Sequence, residues 1–133
     1  MVPPRSRGQT ATIAGVNVDD VAKRIWTLAL SWPEAYEDEP WGHPVFKVGD
    51  NKMFAAMGVR DGAMQLTVKV TREEREIALQ LPYVRVASYV GRYGWITAEI
   101  RDEEALEAAL EWLRESYWLR APAALRAAVE TDE

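Results

Sequence analysis

The sequence predicts an α+β two-layer sandwich, an antiparallel sheet of about five strands with helices packed on one face. Three observations carry that expectation. Apolar residues recur at helical spacing near both ends of the chain, while the middle alternates apolar and polar residues. Short glycine-bearing turns separate the alternating runs, so that most consecutive strands pair as hairpins.

Residues 1–16 read as a loose tail, because Arg5 and Arg7 are followed by no apolar core of signal-peptide length. Asn17 is a good N-cap, Asp19 and Asp20 fall where the helix dipole favours anions, and Val18, Val21, Ile25 and Leu28 keep helical spacing. A helix over about residues 18–31 follows, ended by Trp32-Pro33. The acidic stretch from Glu34 to Glu39 is expected as a loop leading into the Trp41-Gly42-His43-Pro44 turn.

From Val45 the period becomes two. Val45–Val48 and Lys52–Met57 flank Gly49-Asp50-Asn51 as a hairpin, and Arg60-Asp61-Gly62 turns the chain into Met64–Val70, the clearest strand. Met64, Leu66, Val68 and Val70 should face the core, with Gln65, Thr67 and Lys69 on the other side. Thr71-Arg72-Glu73-Glu74 has capping-box spacing and opens a helix over about residues 72–80, which Pro82 terminates. Val84–Val90 and Trp95–Ile100 are two further strands, joined through Gly91 and Gly94. Asp102 caps the strongest helix, whose buried stripe is Ala105, Leu106, Ala109, Leu110, Leu113 and Tyr117. Pro122 suits the start of a terminal helix over about residues 122–129, and residues 130–133 should fray. The whole is one domain over residues 17–129.

Composition narrows the function classes. A chain of 133 residues can bury enough apolar surface to fold without a metal or disulfide staple. No apolar run approaches the ~20 residues that cross a bilayer, so no membrane association is expected. Zero cysteines remove thiol nucleophiles and thiolate metal sites together and agree with a reducing compartment, so a cytoplasmic location is expected. The net charge of -5 argues against coating nucleic acid with the whole surface. The charge is uneven: residues 40–101 hold nine basic and six acidic groups, residues 102–133 three and nine.

The most specific stretch is Glu39-Pro40-Trp41-Gly42-His43-Pro44-Val45-Phe46-Lys47-Val48, followed later by Tyr89…Gly94-Trp95 and Ser116-Tyr117. None contains a catalytic constellation. His43 is the only histidine, so it has no imidazole partner for a metal and no serine or cysteine pattern beside it. Glu103, Glu107, Glu111 and Glu115 line one helical face and read as a solvated exterior, since cation sites draw ligands from more than one segment. Tyr117 should pack inward and hydrogen-bond through its hydroxyl. No cofactor or metal is expected, and the chain reads as non-enzymatic.

Taken in order and at their separations, these motifs resemble the MmcQ/YjbR family of small bacterial proteins, from about Val21 to Leu125. The resemblance implies a CyaY-like helix–sheet–helix sandwich and DNA binding through a double-wing arrangement of β-hairpins. The residue pattern supplies candidates for such a surface. Lys47, Lys52, Lys69, Arg85 and Arg92 would contact phosphates of double-stranded DNA, and Tyr93 or Trp95 would pack near sugars or bases. Two alternatives use the same patch. One is a protein-interaction or homodimer interface through the aromatic sheet face; the other is a small-ligand pocket bounded by Trp41, His43, Lys69 and Trp95. The structural reading of the same patch has Trp95 and Tyr89 covered by the Trp41–Pro44 loop or by a second subunit.

Overall fold

Six antiparallel strands form one sheet in the order β1-β2-β3-β4-β6-β5 in the computed structural model, which describes residues 16–88, 90 and 93–127. Among the described residues three α-helices accompany it: α1 (Val18–Ala29), α2 (Arg72–Ala78) and α3 (Glu103–Arg120). This is the two-layer α+β architecture that the residue periods predict. The expected tail up to residue 15 and the frayed end at residues 130–133 lie outside the described residues.

The N-terminal cap forms as the sequence dictates: Asn17 Oδ1 accepts from the Asp19 and Asp20 amides at 2.8 and 3.2 Å, and Val21, Ile25 and Ala29 are buried. The acidic stretch after Pro33 is a strand, not the expected loop. β1 (Ala35–Asp38) pairs with β2 (Val45–Val48) from Ala35↔Val48 to Asp38↔Val45, and Lys47 Nζ donates to Asp38 Oδ2 at 2.9 Å. Glutamate and aspartate are poor strand formers, which hid it, but charged side chains suit an edge that must not recruit another chain.

β3 (Lys52–Arg60) runs three residues past its expected end and meets β4 (Ala63–Lys69) through Asp61-Gly62. Both turn residues have positive φ, +54° and +79°, as a two-residue hairpin of this type requires. A bulge lies opposite Phe46/Lys47, where Phe46 pairs with Ala55 and Lys47 with Met53. Phe54 is the extra residue; it and Ala55 are both fully buried. The strand expected over residues 84–90 ends early, as β5 (Val84–Val86), and pairs with β6 (Trp95–Ile100).

The capping box at Thr71 closes on one side only. Thr71 Oγ1 accepts from the Glu74 amide at 3.2 Å, but Glu74 instead accepts from Trp112 Nε1 at 2.9 Å. The Thr71 amide is taken by Glu115 of α3 at 2.6 Å, so the cap is shared between two helices. The stripe on α3 holds Ala105, Leu106, Ala109, Leu113 and Tyr117, with Trp112 and Ser116 added and Leu110 only partly buried. A 3-10 turn at Ala123–Leu125 stands where the terminal helix was expected, whose last residues lie outside the described set.

α1 and α3 cover one face of the sheet over Phe46, Phe54, Leu66, Val68 and Ile96. At the centre, the Ser116 hydroxyl, inaccessible to solvent, donates to the Phe54 carbonyl at 2.6 Å and accepts from the Lys69 amide at 2.9 Å. One side chain therefore satisfies a carbonyl freed by the bulge and an amide at the end of β4. Next to it Tyr117 stands edge-on to Phe54 (5.3 Å, 88°), and its hydroxyl donates to the Pro33 carbonyl at 2.8 Å. Burial raises that hydroxyl's pKa above the ordinary tyrosine value.

Ser116→Ala would strand two buried backbone groups at about 1–3 kcal/mol each. A loss of about 2–4 kcal/mol in urea unfolding is expected, and a loss within error of zero would show that the joint is dispensable. Two surface carboxylates contribute to the acid response. The Lys47 hydrogen bond lowers the pKa of Asp38, and the Arg101 hydrogen bond lowers that of Glu99. Groups lowered in the folded state stabilise it fully above the unfolded carboxylate range, about pH 4, and lose that contribution as pH falls through the folded values. The unfolding midpoint should drop on acidification below about pH 4, and Arg101→Met should shrink that drop.

Candidate functional site

The sheet face away from the helices is not flat. It holds a cleft of about 500 Å³, walled by Gly42 and His43 on one side and by Ala87 and Ser88 on the other. This is within the range of small-molecule sites, roughly 300–1,000 Å³. Strand register builds its floor. One cross-strand row runs Ala56–Thr67–Thr97–Arg85 and the next runs Gly58–Gln65–Glu99. Side chains in a row share a face, so the alternation that sends Leu66, Val68 and Ile96 into the core sends Gln65, Thr67 and Thr97 into this floor. The small residues Ala56 and Gly58 make the depression. A Cβ built on Gly58 would meet only the His43 Cβ, at 4.0 Å, so the missing side chain is empty cleft rather than tight packing. Gly42, at φ +85°, turns the loop that brings His43 to the rim.

The polar groups of the floor are sunk. Gln65 is 8% exposed and Thr97 5%. The Thr67 and Thr97 hydroxyls are 2.7 Å apart in a mutual hydrogen bond, and Arg85 Nη1 donates to Gln65 Oε1 at 2.9 Å. Gln65 Nε2 is buried with no hydrogen-bond partner. Its neighbour across the strand pair, Glu99, is engaged by Arg101; the proximity of Gln65 helps lower the Glu99 pKa, but no hydrogen bond of normal geometry joins the two.

The other residues singled out in the sequence fall elsewhere. Lys47 is committed to the fold, donating to Asp38 and, at 2.7 Å, to Asn51 Oδ1. Lys52 is exposed at the start of β3, Lys69 donates from Nζ to the Tyr93 carbonyl at 2.7 Å, and Tyr93 is 55% exposed. Arg92 and Tyr89 lie outside the described residues. Trp95 corrects an expectation: it is 5% exposed, with the Arg120 guanidinium 5.7 Å from its ring centroid, so it is not available to stack on a base. Arg120, at the end of α3, is anchored over it by donating from Nε to the Met53 carbonyl at 2.7 Å. Of the four residues expected to bound a small-ligand pocket, only His43 lines the cleft. Trp41, 68% exposed, stacks loosely beside His43 with ring centroids 6.1 Å apart, while Lys69 and Trp95 are not among the lining residues.

Sequence reasoning missed the parts of the site that are made of absence. Gly58 inside a strand was the available signal, since a glycine there marks a close approach or a missing wall. The acidic ridge of α3 does not converge: Glu103 pairs with Arg24 at 3.1 Å and Glu115 caps Thr71. Among the described residues no group of three or more acidic or histidine side chains is placed to hold a metal ion. A larger groove of about 930 Å³ between α1 and α3 is lined by Lys23, Arg24 and Arg114 against Glu104, Glu107 and Glu111. Its charges cancel, which favours no ligand class.

No helix among the described residues is long and apolar enough to cross a membrane. The YjbR family model matches residues 30–119. Among solved structures, the chain is similar to the Deinococcus radiodurans protein DR2400, with domain DUF419, at 23% identity and a TM-score of 0.67 over 82% of this chain and 87% of that one. It is also similar to a Pseudomonas syringae protein at 18% identity and a TM-score of 0.56, over 74% of this chain and 97% of that one. At these identities the likeness is one of fold. No curated protein matches. With the family model spanning the strand system, both long-range joints at Ser116 and Tyr117 and the walls of the cleft, the chain belongs to the YjbR family.

Proposed function

We propose that this YjbR-family chain is a non-catalytic binding protein that holds a small molecule in the outer-face cleft. The observation that carries this reading is Gln65: a buried side-chain amide with its oxygen occupied by Arg85 and its NH2 unpartnered. An unpaired buried donor costs about 1–3 kcal/mol, and such groups in native folds call for a reason. A ligand acceptor supplies one. The cleft has the expected composition, with apolar walls from Ala56 and Ala87 and a few convergent polar groups. The non-catalytic reading rests on the resources present. The chain has one histidine and no cysteine, and His43 has Trp41 beside it rather than an orienting carboxylate.

A second reading is the weak duplex binding implied by the family resemblance, and one observation favours it. Lys52 begins β3, Lys69 ends β4 and Tyr93 precedes β6, so antiparallel pairing gathers all three at one end of the sheet. Arg60 is at the other end of β3, about 26 Å away at the rise of an extended strand. Phosphate contacts alone would be available to such a surface, since Trp95 is covered. No base-reading element accompanies them.

The first reading is tested by screening small fragments against 15N-labelled protein. Perturbed backbone amides should cluster at Gly58, Thr67, Thr97 and His43, and Gly58→Val should abolish them while leaving the unfolding midpoint unchanged or higher. Perturbations confined to the hairpin ends, or unaffected by Gly58→Val, would defeat the assignment. The second reading predicts duplex binding that weakens steeply between about 50 and 200 mM salt and is lost in a Lys52→Glu, Lys69→Glu double variant. Equal binding by wild type and double variant would remove that surface from consideration.

A further inference from the structure

We infer that the cleft selects a small oxyanion, a carboxylate or phosphate head on a short apolar body, received by Arg85 and Gln65. The inference rests on the small-molecule reading above and specifies its ligand. Its first ground is charge. Two arginines, Arg60 and Arg85, line the cleft and no aspartate or glutamate does, although the chain as a whole is acidic at -5. Two acids stand just outside the lining: Asp61 lies 3.9 Å from Arg60, and Glu99, held by Arg101, also feels the charge of Arg85, so a ligand anion would share these arginines with carboxylates of the chain.

The second ground is the sense of the hydrogen bonds. Arg85 donates to Gln65 Oε1, which fixes the amide so that its NH2 is the end left over. Gln65 Nε2 makes no hydrogen bond of normal geometry; Glu99, whose pKa it helps lower, is the acceptor beside it, and the N–H not turned to Glu99 is the one open to a ligand. The Thr67–Thr97 pair can serve either polarity, since it keeps free lone pairs as well as a proton. When one hydroxyl donates to the other, the second still has a proton of its own to offer. Arg85 uses one of its five N–H groups on Gln65, and its side chain remains exposed, so a guanidinium edge is open to a planar anion. The Arg85 guanidinium, with the Gln65 NH2, is what tips the floor toward an acceptor. A neutral amide or sugar would have to bring as many donors as acceptors and would leave some of them unpaired here; an oxyanion brings acceptors only.

The third ground is size. Ala56 and Gly58 on β3 leave room behind the polar row, and Ala56 and Ala87 are the apolar surfaces that face it. The volume accommodates a head group and a ring or short chain, not a polymer.

The test is calorimetric titration of the whole chain at neutral pH with sodium benzoate, its uncharged counterpart benzamide, and sodium phosphate, with backbone amide shifts recorded in parallel. Benzoate should bind at least about tenfold more tightly than benzamide, and Arg85→Gln should erase that preference. Phosphate binding in place of benzoate would also support the oxyanion head and identify the phosphate source. Gln65→Leu separates a receptor from a structural role: it should weaken the anion while leaving the free protein as stable as before or more so, because an unpaired buried donor is removed. Benzamide binding as tightly as benzoate, or benzoate binding undiminished in Arg85→Gln, would overturn the oxyanion assignment while leaving the cleft as a small-molecule site. Failure of both anions to shift the cleft amides would overturn it as well, and the fragment screen then decides whether the cleft binds anything.

Discussion

The buried hydroxyl of Ser116 is the joint on which this architecture turns. By donating to Phe54 and accepting from Lys69 it fastens α3 to two neighbouring strands at the point where the β3 bulge would otherwise leave polar backbone unsatisfied. Tyr117, one residue on, ties the same helix to Pro33 at the exit of α1. The two contacts fix which face of the sheet the helices occupy. Everything on the opposite face must then be buried, or left open, without helical cover.

That face solves the problem with small residues and paired polar ones. Val45 is fully buried there beside Ala56, Thr67 and Thr97 satisfy one another, and Arg85 covers the Gln65 oxygen. At one end Arg120 reaches from α3 to lie over Trp95. What remains is a recess whose walls are loops and whose floor is polar. Cations elsewhere are spent on the fold: Lys47 holds β1 to β2, and Arg101 joins Glu99 to the Asp61 carbonyl at the hairpin turn. Arg85 is different, exposed and hydrogen-bonded to Gln65, whose side-chain nitrogen is buried and makes no hydrogen bond of normal geometry. This separation of fold-bound from available charge is why a net acidic chain can still present a local anion site.

The sequence was most legible where physics is local. Asn17 and Asp102 cap their helices as single residues can, and the alternation of Met64 to Lys69 places every side chain on its proper face. β1 was hidden because Glu37 and Asp38 argue against a strand, whereas it forms by backbone pairing with β2, with Lys47 of that strand meeting Asp38. The Thr71 box looked self-contained, but Glu74 was diverted to Trp112 and Glu115 took its place, a substitution visible only once α3 is docked. Trp95 was placed on the correct side, but what covers it was not legible, because that guanidinium comes from the far end of another helix. The cleft was legible in its polar residues and illegible in its depth, which Gly58 creates by lacking a side chain.

The central claim is that the Gln65 amide is a receptor, and its side-chain nitrogen can be watched directly. In 15N-labelled protein titrated with benzoate, the Gln65 NH2 proton resonances should move downfield and saturate with the same midpoint as the Thr97 backbone amide, while the side-chain amides of Asn17 and Asn51 stay in place. A Gln65 pair that does not move, or that drifts without saturation alongside Asn51, would contradict the account.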